Sequence, residues 1–598
     1  MNKFLFISVA TFIFLSGITS ATLSIKNDYV ENFNGDIRYL DLPSSFDLRD
    51  VNGTDYVTSV KNQQGGTCWT HGAMAAMEGN LMITGIWDLG GEVDEPDLAE
   101  YHLDWWNGFN QHNNDDTNPS TGGGLTVHQG GDYLVTAAYL SRGEGAVRER
   151  DARSFTTPPS RKLPEYHYYY PRDIEWYTID SELNNIEVIK QKIIDYGVIG
   201  TCLCSSSSFI EDYIHYQPPT SNRDPNHAVA IIGWDDNKIT QAPENGAWLV
   251  KNSWGGSWGL SGYFWISYYD KHSCRNPEMG AISFQNVELL SYDNIYYHDY
   301  HGWRDTLIDI EESFNVFISE GNELLNSVSF YTNKDNIDYV IKIYDRFENN
   351  LLLEELSSQS GNIDFKGFHT IDLNDPVGFE SDDDFYVYLY LSEGGQPYDR
   401  TSEVPVLLGG TGPLVSVEST SNKGESYYFE DGWKDFYYYS FSNSQWDKSA
   451  NFCIKSLTNN WTPTTPELEC DGSINWIDVK PAHKVYNNIT IKNIGESLSS
   501  LSWEIQEYPD WGTWNFSPQN GDYLKPEGGD FNIEVSVLPP IEKNQNYSGQ
   551  IKIVNTENNN DYGIIEITLT TTKISNFDLI SQYLFQFGNF RILNNLFN

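Results

Sequence analysis

At about residue 288 the chain changes its periodicity, and that change limits what it can fold into. Beyond it, stretches such as LNSVSFYTN, YVIKIYD and DDDFYVYLYL alternate apolar and polar residues between tight turns, the period of strands with one buried face. Before it, the helix-like run CWTHGAMAAMEGNLM is mixed with strand-like runs such as AVAIIGW and GAWLVK. One hydrophobic core cannot serve 598 residues. The pattern predicts a multidomain chain: an α+β domain over 43–286, a β-sandwich over 287–458 and, after the hinge NNWTPTTPELECDG, a second all-β sandwich over 463–572.

The opening 1–21, MNKFLFISVATFIFLSGITSA, has the lysine, apolar centre and small residues of a secretory signal peptide and is too short for a membrane span. A short segment, 22–42, follows. No later stretch has the uninterrupted apolar length of a transmembrane helix. The last segment, 573–598, is rich in apolar and aromatic residues broken by polar ones, the composition of an interfacial or docking tail. An exported protein, secreted or at the cell surface, is the expectation.

With 37 basic against 84 acidic side chains the formal charge is −47, which repels nucleic acid and anionic membranes and removes both as partners. Six cysteines in an exported chain invite disulfides. If Cys68 is a free nucleophile, five remain; Cys453 could pair with Cys470, and Cys274 with Cys202 or Cys204. Glycosylation sequons occur at Asn52, Asn460, Asn488, Asn515 and Asn546.

Cys68 opens the helical run behind Gly65 and Gly66, where a helix N-terminus favours a thiolate and a backbone N–H can face an oxyanion. A thiolate needs a base and something to orient it. His227 directly precedes the apolar strand AVAIIGW, and Asn252 ends the next one. An amide in the third role holds the imidazole without adding a charge.

Three ordered motifs, VKNQQGGTCW, NHAVAIIGW and KNSWGGSWG, resemble those of the papain-like cysteine peptidases over roughly residues 43 to 286, with GYFWISYYD resembling the strand that follows. The resemblance implies a two-lobed α+β fold that hydrolyses peptide bonds through an acyl-enzyme and needs no cofactor or metal. It implies Cys68 as nucleophile, His227 as acid/base, Asn252 as orienter, Gln63 as oxyanion-hole amide and Trp254 as a shield over the imidazole. Gly130 and Gly131 would offer backbone hydrogen bonds to a protein or peptide substrate. The chain departs from the pattern in four respects. The first cysteine of the usual signature is absent, with the disulfide it would form. Gln63 stands five residues before Cys68 rather than six, which leaves Gln64 open for the same role. The segment around NQHNNDDTNPSTGGG reads as an insertion, and the residues before 43 are too few for the family's large inhibitory propeptide.

His71 on the Cys68 helix reads as a packing or solvated residue, and His102, His112 and His128 as solvated loop residues without metal-ligand spacing. The aromatic stretch YYFEDGWKDFYYYSFSNSQW resembles the lectin-like sandwich appended to prokaryotic papain-family peptidases, which suggests a surface glycan as a further ligand. The third domain resembles immunoglobulin-like modules of surface proteins. Two other functions fit the same residues: a catalytically silent adhesion scaffold, and a transpeptidase in which an amine replaces water.

Overall fold

The computed structural model describes residues 42–404, 414–462, 464–470, 472–496 and 499–573. The signal-peptide reading and nearly all of the tail therefore fall outside the described residues. The fold is multidomain, with a helix-bearing first part followed by extensive β-structure.

The helix Cys68–Thr84 is buried on nearly every side from Cys68 to Leu81, so it is a central element rather than an amphipathic surface helix. It packs against the strands His227–Asp235 and Ala281–Leu289. These belong to a 13-stranded sheet. Strand His227–Asp235 lies between Ile199–Leu203 and Ala247–Lys251, all three almost wholly buried, which explains their unbroken apolar runs.

The same sheet continues into the second part of the chain. Strand Tyr169–Tyr177 pairs with Ala281–Leu289 on one side. On the other it pairs with Gly367–Phe379, with Ile174 opposite Phe368. Side chains reinforce this seam. The Tyr170 hydroxyl meets Thr370 Oγ1 at 2.9 Å, and Arg172 donates to Asp372 at 2.6 Å and to the Thr370 carbonyl at 3.2 Å. Tyr331, Phe368, Val417, Cys453 and Leu457 accordingly sit in the core of the first part, although a second core, built around residues such as Phe330, Ile341, Phe385 and Phe452, fills the sandwich proper.

The last part stands differently. Residues 468–571 form sheets of four and five strands around their own core of Trp503, Ile533, Ile551 and Ile567. Among the described residues no strand of this sandwich pairs with a strand outside it.

Cys68, Cys202, Cys204, Cys274 and Cys453 are buried free thiols, so neither pairing suggested by the sequence is made. Each lies in or beside a packed element, where a small apolar side chain suffices.

Candidate active site

Three elements meet at one end of the large sheet. Cys68 is the first residue of its helix, His227 the first of its strand, and Asn252 follows Ala247–Lys251. His227 Nε2 and Asn252 Oδ1 are 2.8 Å apart, which fixes the proton on Nε2 in the neutral ring and leaves Nδ1 as the accepting nitrogen. Asn252 is itself held, since its Oδ1 also accepts the Ser253 N–H at 2.8 Å and its own N–H donates to the Gly262 carbonyl at 3.0 Å. Trp254 stacks on the His227 ring at 4.5 Å and 23°. It covers the imidazole.

Gln63 joins this group through Ser253. Its N–H donates to the Ser253 carbonyl at 2.8 Å, and its Oε1 accepts from Ser253 Oγ at 2.6 Å. Its Nε2 donates one hydrogen to the Gly65 carbonyl, which leaves the second available. Gln64 is exposed, with its N–H on the Tyr101 hydroxyl. Gly131 lies flat against Trp69, where an added Cβ would come within 2.6 Å of the indole.

Burial dominates the electrostatics. It pushes the Cys68 thiol up to about 11, although the backbone N–H groups of Ala228, Trp69 and Cys68 pull the other way. Burial also lowers His227 to about 4, opposed by its bond to Asn252. The helix N-terminus, expected from sequence to lower the thiol, is thus outweighed by the cost of desolvating a thiolate. Both shifts favour an uncharged resting pair. Mutual attraction of the charged pair, about 4 kcal/mol at 4 Å in an effective dielectric of 20, acts only when the proton passes from sulfur to ring.

His71 is buried, with Nδ1 2.8 Å from the Thr67 carbonyl and its ring edge-on to Tyr101. The other histidines correct the expectation of solvated loops. His102 is fully buried on the helix Glu100–Trp106, its ring nitrogens on the Tyr139 hydroxyl and the Arg161 carbonyl. His112 packs edge-on to Trp105 and Trp106, while His128 pairs with Asp104. The aromatic residues near them in sequence are the signal that could have revealed this packing.

Behind the helix lies a charged network that sequence reasoning missed. Lys61 contacts Glu78, Asp97 and Glu100 within 2.8 Å, and Lys251 donates to Thr58 Oγ1, which in turn donates to Glu78. The residues are scattered along the sequence, so only the fold assembles them. Among the described residues, the group richest in metal-ligand types is Asp116, His301 and Asp399. Its atoms already have protein partners: the His301 ring meets Ser419 Oγ and the Gly108 carbonyl, Asp399 accepts from the His301 and Asn451 N–H groups, and Asp116 accepts from Thr420 N–H. It is a polar junction between the inserted segment and the second part of the chain.

Comparison with known proteins agrees with this division. Residues 42–90 and 129–283 match the papain family cysteine protease model, and the unmatched interval, 91–128, contains the inserted segment. Residues 295–458 match the lectin-like domain. The chain carries a papain-family cysteine protease domain joined to a lectin-like domain. Cathepsin J of Mus musculus is 26% identical over 259 residues, which cover 42% of this chain and 66% of that protein. Cathepsin L2 of Homo sapiens is 27% identical over 260 residues, 42% of this chain and 67% of the relative. The chain thus spans about two thirds of the length of these relatives. The structure of the cysteine protease and lectin-like domains of Cwp84, a surface layer associated protein of Clostridium difficile, aligns with a TM-score of 0.54 at 24% identity, covering 71% of this chain and 90% of that one. A cysteine-to-alanine variant of Cwp84, after propeptide cleavage, aligns with a TM-score of 0.56, also at 24% identity, covering 70% and 100%. The shared fold extends across both domains.

Proposed function

We propose that the protein is an exported cysteine endopeptidase that hydrolyses peptide bonds through a thioester on Cys68. The observation that carries this reading is the His227 to Asn252 bond, which leaves imidazole Nδ1 as the accepting nitrogen at the start of the strand packed on the helix that Cys68 opens. In the first half-reaction the Cys68 proton moves to Nδ1 as sulfur attacks the scissile carbonyl carbon. The developing oxyanion takes hydrogen bonds from the Cys68 backbone N–H and Gln63 Nε2. His227 then protonates the leaving amine. In the second half-reaction it takes a proton from water, and hydroxide releases the acid and restores the thiol. Asn252 holds the ring throughout, Trp254 keeps water from their bond, and Gly130 with Gly131 binds the substrate backbone.

The separate third core supports a domain over 463–572, read as an immunoglobulin-like spacer, while the limits 43–286 and 287–458 divide two parts that share one core. The lectin-like domain is read as a glycan-binding tether that keeps the enzyme at a cell surface. The surface layer association of Cwp84 supports that location.

Labelling with an epoxide directed at papain-like thiolates, mapped by peptide mass spectrometry beside a casein-cleavage assay, tests the reading. Selective modification of Cys68, with cleavage lost in Cys68→Ala, is the expected result; an unlabelled Cys68 with intact casein under reducing conditions from pH 4 to 8 rejects it. His227→Ala adds a pH test. With its pKa near 11 and no base beside it, the thiol is ionised to only ~10⁻⁴ at pH 7. Alkylation of Cys68 in this variant should therefore rise about tenfold per pH unit toward pH 11, whereas the wild type should react readily near neutrality.

A further inference from the structure

The loop that carries Cys68 is gripped from two sides. On one side Gln63 binds Ser253, as described above. On the other, the Gly66 N–H donates to the His128 carbonyl at 2.8 Å, and Gly66 forms a parallel bridge with Gln129. Nothing separates the two backbones. Gly65 has φ +68°, and a Cβ there would stand 3.1 Å from the His128 carbonyl oxygen, 3.2 Å from its Cβ and 3.3 Å from the Phe155 ring.

His128 is unusual in its own right. It has φ 65°, a conformation that costs a non-glycine residue roughly 1 kcal/mol and persists only where the surroundings impose it. Those surroundings centre on one carboxylate. Asp104, on the helix Glu100–Trp106, has a side chain 1% exposed. Among the described residues, every hydrogen bond that its carboxylate accepts comes from His128: the backbone N–H reaches both oxygens at 3.3 and 3.2 Å, and ring Nδ1 binds Oδ2. The ring is also stacked on Phe155 at 3.9 Å and 24° and meets Trp105 edge-on at 5.0 Å. A buried carboxylate committed to one residue, two positions before Gly130, calls for an explanation other than general packing.

We propose that Asp104 and His128 form a positioning clamp, which fixes the strip Gly130–Gly131 against the loop bearing Cys68 and so sets the width of the substrate cleft. This inference rests on the peptidase reading, in which that strip holds the substrate backbone. Neither residue touches the reacting atoms. Their effect is on where an extended substrate lies relative to sulfur, which separates the clamp from a change in the thiol itself.

The test uses the full-length enzyme with Asp104→Asn, Asp104→Ala and His128→Asn. Two readouts are taken: steady-state cleavage of an extended peptide, and alkylation of Cys68 by iodoacetamide, which is too small to need the strip. The clamp predicts KM raised about tenfold with kcat within about threefold, and alkylation within about twofold of wild type. The double variant Asp104→Ala with His128→Asn should be little worse than either single change, because the pair acts as one unit. Should Asp104→Ala fail to fold, by its thermal transition, the isosteric Asp104→Asn and the turn-compatible His128→Asn decide the matter. An unchanged KM, or kcat and alkylation falling together, overturns the clamp. A wild type that neither cleaves nor labels at Cys68 overturns the peptidase reading and the clamp with it; a competent wild type with indifferent variants overturns the clamp alone.

Discussion

The two β-sandwiches that follow the protease domain look alike in sequence, yet the fold uses them in opposite ways. The lectin-like one lends strand Gly367–Phe379 to the protease sheet and places Tyr331, Phe368 and Leu457 in the protease core. It is also tied to the inserted segment, where Asn114 donates to the Glu418 carbonyl at 2.9 Å and Thr420 Oγ1 to the Asp116 carbonyl at 2.6 Å. No strand of the last sandwich pairs with a strand outside it among the described residues, although its Tyr523 hydroxyl meets the Asp345 carboxylate of the lectin-like one. A module can therefore be structural for an enzyme without touching its chemistry, because it closes a sheet edge that would otherwise present unpaired backbone groups.

Truncation gives the largest expected contrast. A chain ending at residue 290 leaves strand Tyr169–Tyr177 without its outer neighbour and bares part of the protease core, so it should be aggregated or unfolded by gel filtration and circular dichroism. A chain ending at residue 462 should keep kcat/KM within about twofold of the full chain. A soluble, active product of the first truncation would break the comparison.

Next in size is Trp503→Ala, which empties a fully buried site in the last sandwich. It should lower the stability of that module by about 3–5 kcal/mol. Calorimetry should show one transition moving while the transition of the protease with its lectin-like partner stays put; coupled movement would mean that the last sandwich is not independent.

A pH series sharpens the contrast further. Burial raises the Asp116 carboxyl to about 7 and Asp399 well above its ordinary value, with Glu425 adding to the first and Asp116 and Asp299 to the second, against Arg142 near Asp116. A carboxyl whose folded pKa lies above its unfolded value stabilises the fold while protonated, fully below about pH 4, and loses that contribution as pH rises through 7. The transition of the joined domains should fall by several degrees between pH 4 and 8, and less in Asp116→Asn. A slope unchanged by that substitution would remove the junction as the cause.

The smallest effect belongs to the seam. Tyr170→Phe leaves the Thr370 hydroxyl without its buried partner and should cost about 1 kcal/mol in the joined transition alone, read from chemical denaturation.

Much of the candidate site was legible because its residues stand at the ends of strongly patterned elements. Cys68 heads a helical run, His227 starts an apolar strand and Asn252 ends another, so local pattern and residue type agree. The electrostatics were not legible. Burial of Cys68 and His227 depends on which elements cover them, and it reverses the expected shift of the thiol. His102 shows the same failure: it was expected among solvated loop residues, and tertiary packing put it in the core.

The sequence by itself marked the helical run at Cys68, the apolar strands that begin at His227 and end before Asn252, and the succession of one mixed and two all-β segments, since periodicity and residue chemistry are local properties. Only the tertiary structure decided that Glu175 pairs with Gly367, that the insertion grips the lectin-like domain through Asp116 and Thr420, and that Asp104 holds His128. Strand pairing and burial are set by contacts between distant segments, and their energies depend on the whole core that brings those segments together.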